Sequence, residues 1–143
     1  MRLLLDTHIW LWSLVEPNRL SANTAAVLAA SDTERWLSPL SVWEALMAIE
    51  RKRFQVDGPA EAWVRQALER APVTEAPVTA EVAFVSRKLR TTHPDPVDRF
   101  LMATAQVFEL TLVTADTKLA PVDGVSVLSN RAKGKATMRQ DRR

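Results

Sequence analysis

Four carboxylates from distant parts of the chain stand where an apolar run ends or a helix begins. Asp6 closes the run at residues 3–5 in MRLLLDTHIW and is followed at once by Thr7 and His8. A charge at the end of a buried strand is costly unless something there binds it. Asp116, in LTLVTADTKL, lies just past a second such run, while Glu44, in SPLSVWEALMAIE, is about a turn and a half into a helix. Asp98, in HPDPVDRFLMATA, falls in the first turn of another. Like charges brought within a few ångströms either raise one carboxyl's pKa or need a cation between them. The chain has no cysteine, so a metal must sit on oxygen or imidazole, and an all-oxygen set suits Mg²⁺ or Mn²⁺. Such an ion keeps several waters and is fitted to displacement at phosphorus.

Each acid also has a purely structural explanation. Asp95 and Asp98 satisfy free N–H groups at a helix start and suit its dipole, and capping is the preferred reading of Asp95. For Asp98, capping and metal binding are compatible. Asp116 can cap a short turn at residues 117–119, and Glu44 can be a solvated helix acid, although Val42, Trp43, Ala45 and Leu46 suggest half-buried surroundings. His8 and His93 are candidate proton carriers, at a histidine content near background. Arg99 is read first as an ion-pair partner, second as a phosphate ligand. The hydroxyls of Thr7 and Thr114 orient water or phosphate, or simply bond backbone. Arg51, Lys52 and Arg53 either position a nucleic-acid backbone or form the solvated end of their helix. Trp10, Trp36 and Trp63 fall in apolar patterns and read as core, not as a base-stacking platform.

The elements that must position these residues follow from hydrophobic patterning. Strands are expected at 3–5, 35–37, 110–114 and 125–128, with a weak one around 73–77 because of its prolines. Helices are expected at 9–15, 22–30, from Ser38 and Pro39 to about 49, at 59–71, from Thr79 to 89, and from Asp95 and Pro96 to 108. Ser38 then Pro39 is a cap followed by proline at the first helical position. Strands separated by helices imply crossovers, so the fold class is α/β with a mostly parallel sheet covered on both faces. Ligands of such sheets bind beyond the carboxyl ends of the strands, near the point where strand order reverses. All four acids are predicted to meet on that rim.

With 143 residues, 47% of them apolar and 25% charged, the chain suits one soluble domain. Arg2 before an apolar stretch resembles a signal peptide, but Asp6 and His8 interrupt it. No run approaches the roughly 20 apolar residues of a membrane span, so a cytoplasmic protein is expected. Residues 131–143 hold 6 Lys or Arg and 1 Asp, against 13 basic and 16 acidic residues in 1–130, so the body is −3 and the tail +5. The tail reads as a basic, solvated, disordered end in preference to an arm on nucleic acid.

The succession LLLDTHIWLW, LSPLSVWEA, HPDPVDRFLMATA and LTLVTADTKL resembles PIN-domain nucleases, specifically the toxins of VapBC-type toxin–antitoxin pairs, over about residues 1–129. The resemblance implies a PIN-like three-layer sandwich around a five-stranded parallel sheet, with residues 1–130 as the nuclease domain. It places the family's catalytic, metal-binding quartet on Asp6, Glu44, Asp98 and Asp116. It further implies a Mg²⁺- or Mn²⁺-dependent endoribonuclease acting on RNA, homodimerisation, and inhibition by a cognate antitoxin encoded alongside. Val97 departs from the aromatic residue usual at its position, and the tail runs past the point where many relatives stop.

Two rival classes share strand-end acids. A receiver-like signalling domain wants adjacent acids after its first strand, where this chain has Asp6 then Thr7. A haloacid-dehalogenase-type phosphatase wants an acid two residues after the first, where this chain has His8. A non-catalytic binding module on the PIN fold would be distinguished by turnover.

Overall fold

β1 (Arg2–Leu5) is a leucine run without polar alternation, the pattern of a strand covered on both faces. In the computed structural model, which describes residues 1–90, 95–116 and 124–131, it lies at the centre of the sheet. Asp6 ends it by capping α1 (Thr7–Val15). A short 3₁₀ turn (Pro17–Arg19) leads to α2 (Ala22–Ala29), capped by Ser21. β2 (Glu34–Leu37), α3 (Pro39–Glu50), α4 (Ala60–Arg70) and β3 (Thr74–Glu75) follow. α5 (Ala80–Lys88), α6 (Pro96–Val107), β4 (Thr111–Thr114) and β5 (Ser126–Ser129) complete the order.

All pairings are parallel, in the order β3-β2-β1-β4-β5. The chain builds outward from β1 to β3, then returns to the other side of β1 with β4. The strand order therefore reverses between β1 and β4, where Leu3, Leu4 and Leu5 pair with Thr111, Leu112 and Val113. Successive side chains of a strand face opposite ways, and the core divides accordingly. Leu3, Leu5 and Val113 join α1, α3 and α4 on one face. Leu4 and Leu112 join Leu101, Met102 and Ala105 of α6 on the other. The result is the expected three-layer α/β sandwich.

Three boundaries differ from the sequence expectation for local reasons. α1 starts at Thr7 because the Asp6 carboxylate accepts the Ile9 N–H. The segment around 73–77 pairs over two residues only, since Pro72 and Pro77 bring no N–H to a ladder. The turn at Pro17 and Asn18 closes as a 3₁₀ helix. Among the described residues no helix is long and apolar enough to cross a membrane. His93, the turn expected at 117–119 and the tail from 132 lie outside the described residues.

Candidate active site

Asp6 stitches the ends of the two central strands together. Its backbone N–H donates to the Val113 carbonyl at 3.0 Å, and its Oδ2 accepts the Ala115 N–H at 2.9 Å. Oδ1 accepts the Ile9 N–H at 2.9 Å, and the Thr114 hydroxyl bonds the same carboxylate. Burial pushes the Asp6 pKa above its ordinary 3.8, and these hydrogen bonds and nearby His8 oppose the rise without cancelling it. Asp6 is thus both a helix cap and a charge held where charge is costly. Three hydrogen bonds on about four lone-pair sites leave one for a further ligand.

Threonine hydroxyls hold other acids of the quartet. Thr114 Oγ1 accepts the Asp116 N–H at 3.0 Å, so one hydroxyl links the residues at 6 and 116. Thr7 Oγ1 donates to Glu44 Oε1 at 2.5 Å, tying the first turn of α1 to the middle of α3. Sequence reasoning named both threonines but not these partners. Glu44 is part-buried, as its apolar neighbours suggested. At the start of α6, Asp95 Oδ1 accepts the N–H groups of Val97 at 2.9 Å and Asp98 at 3.4 Å. The cap expected of Asp95 is present, and it sets Asp98 in the first helical turn.

A cavity of about 200 Å³ lies on this rim, and Asp6, Glu44, Asp98 and Asp116 all line it, with Asp95 and His8. The convergence expected from the sequence is met at the level of the cavity, not of a ready-made cage. Among the described residues, no three His, Asp or Glu side chains stand close enough together to hold an ion as they are. The donor set still fits a hard divalent cation: it is carboxylate oxygen throughout, and Asp6 carries a burial cost that a cation would relieve.

Of the other candidates, His8 stands on the cavity, while Arg99 and the tryptophans lie elsewhere. Arg99 donates to the Ser86 carbonyl at 2.8 Å, tying α6 to α5, and does not line the cavity. His8 is exposed, its ring 5.6 Å from that of Trp12. Trp10 is buried, Trp63 packs against the core, and Trp36 meets Phe108 and the Arg2 guanidinium. Trp43 departs from the apolar surroundings read for α3, standing 52% exposed.

The fold and the rim define an α/β protein with an acid-lined cavity at the switch point of a parallel sheet. The PIN domain family model matches residues 3–125, and the chain belongs to the PIN-domain family. It is 33% identical over 117 residues to Ribonuclease VapC22 of Mycobacterium tuberculosis, covering 81% of this chain and 88% of that one. In fold it is similar to VapBC2 of Rickettsia felis bound to a promoter DNA fragment, with a TM-score of 0.67 at 15% identity, over 90% of this chain and 98% of that one. A toxin–antitoxin complex from Klebsiella pneumoniae gives a TM-score of 0.64 at 20% identity, over 90% and 98% of the two chains.

Proposed function

We propose that this chain is the endoribonuclease toxin of a VapBC-type pair, acting in the cytoplasm on RNA as a homodimer and held inactive by a cognate antitoxin. We assign the catalytic and metal-binding roles to Asp6, Glu44, Asp98 and Asp116, with Mg²⁺ or Mn²⁺ as the cation. The observation that carries the reading is the single cavity lined by these four acids at the sheet's switch point. The likeness to Ribonuclease VapC22 supports the substrate class.

When bound, the cation would polarise the phosphoryl oxygen and supply an acidified water for attack. Asp6, Asp98 and Asp116 offer the oxygens that hold it. Glu44 completes that shell or orients the attacking water and takes its proton. Thr7 fixes Oε1 of Glu44, leaving Oε2 outside that bond. The Ile9 and Ala115 N–H groups hold Asp6 so that its carboxylate need not be reoriented as charge develops on the phosphoryl group. No covalent enzyme intermediate is required.

The test is cleavage of mixed structured RNAs by protein freed of any partner, with Mg²⁺ or Mn²⁺, beside Asp6→Asn and Asp98→Asn. Both changes should lower the rate roughly 100-fold or more, and chelator should abolish it. Cleavage that survives both substitutions, or ignores chelator, would remove these acids from the mechanism.

A further inference from the structure

Beside the acid cavity lies a second one of about 130 Å³, and the two share Thr7, His8 and Glu44. Its remaining wall differs in kind. Leu11, Met47 and Phe54 make an apolar floor, and Arg51 and Arg53 stand at its edge. The end of α3 explains how two arginines reach one cavity. Lys52 takes a left-handed backbone (φ 60°), its N–H donating to the Ile49 carbonyl at 3.0 Å while the Arg53 N–H donates to Ala48 at 2.8 Å. This paired closure of a helix end reverses the chain. It leaves Arg51 and Arg53 on the cavity and Lys52 off it, and tucks Phe54 beneath at 8% exposure. The rings of Phe54 and His8 are tilted at 51°, with centroids 6.1 Å apart.

We infer that this cavity is a subsite for one unpaired nucleobase next to the scissile phosphate, with its ring against Phe54 and His8 and the flanking phosphates on Arg51 and Arg53. The inference rests on the nuclease reading above and names how that site grips its substrate. Proteins bind unpaired RNA by splaying bases onto aromatic side chains and guanidinium planes, and this wall offers both. Its place is right, because His8 borders the two cavities and a base entering one leaves its phosphate at the other. Charge argues the same way: a polyanion must cross four carboxylates on a body of charge −3 over residues 1–130, and among the described residues lining the two cavities Arg51 and Arg53 are the arginines beside that crossing. Among the described residues no ion pair holds either one.

The test compares, in chelator, the affinity of the full chain for a short labelled RNA of random sequence and for a ribose-phosphate oligomer of equal length without bases. The native chain should bind the base-bearing RNA about tenfold more tightly. That preference should fall to about twofold or less in Phe54→Ala and in Ala48→Met, the second filling the cavity without removing a core ring. Arg51→Gln with Arg53→Gln should instead weaken both ligands and lower the salt slope by about one unit. Equal affinity of the native chain for the two oligomers, no binding of either, or a preference that survives Ala48→Met would overturn the subsite. So would cavity variants that keep the base preference but release a co-purifying antitoxin, which would give the cavity to a protein side chain. Failure of the nuclease reading shows separately, as absence of cleavage with Mn²⁺, and leaves this comparison readable.

Discussion

Asp6 concentrates the proposed chemistry of the molecule in one side chain. Its position was readable from the sequence, because an acid that ends an all-leucine strand has few reasons to be there. The hydroxyl of Thr7 on Glu44 was not, since a bond between residues 37 apart has no local signature. A raised pKa has a defined consequence for stability. The folded state holds the Asp6 proton more tightly than the unfolded chain, whose value stays near 3.8. Protonation therefore favours folding, fully at or below the unfolded value, and that contribution is lost as pH rises through the raised folded value. A divalent cation competes with the same proton. Melting in chelator and in Mn²⁺ across this range should show a gain from Mn²⁺ that is small at acid pH and grows as Asp6 ionises. A gain independent of pH, or largest at acid pH, would separate the cation from Asp6.

The start of α6 carries two aspartates three residues apart, to which we assign different duties. Asp95 caps the helix through its side chain, and Pro96 at the first helical position needs no donor partner. Asp98 projects from the first turn, where the helix dipole eases its charge. Asparagine caps about as well as aspartate but brings no charge. Asp95→Asn should therefore keep both stability and RNA cleavage, and Asp95→Ala should lower stability by about 1 kcal/mol. Asp98→Asn should melt like the native chain and lose cleavage. Chemical denaturation and a rate assay on the three variants decide it, and loss of cleavage in Asp95→Asn would make Asp95 a fifth acid of the site. The cap at Asp95 was readable in the sequence, because cap residues are local signals, whereas spacing alone left capping and metal binding both open for Asp98. The arginine turn was not: a left-handed lysine at 52 has no glycine to announce it, so which cations leave the helix end together had to come from the backbone.

The whole molecule explains why one rim holds all four acids. Parallel strands and covering helices followed from the alternation of runs along the chain, but the order β3-β2-β1-β4-β5 is set by long-range pairing and by the packing of two cores. That order seats β1 centrally and brings the residues after β4 beside Asp6. Residues 132–143 carry five Lys or Arg against one Asp, and we propose that they act through charge. Removing them takes away five Lys or Arg and Asp141, turning a net charge of +2 into −2. A chain cut after Arg131 should keep its melting midpoint. It should associate more slowly with single-stranded RNA at low salt, because the body that remains repels the ligand. The difference should close near 1 M salt, where the Debye length shrinks to about 3 Å. Stopped-flow association of labelled RNA at the two salt concentrations, beside a thermal melt, measures both quantities. A midpoint several degrees lower would show that the tail packs on the body, and equal low-salt rates would remove its charge from RNA capture.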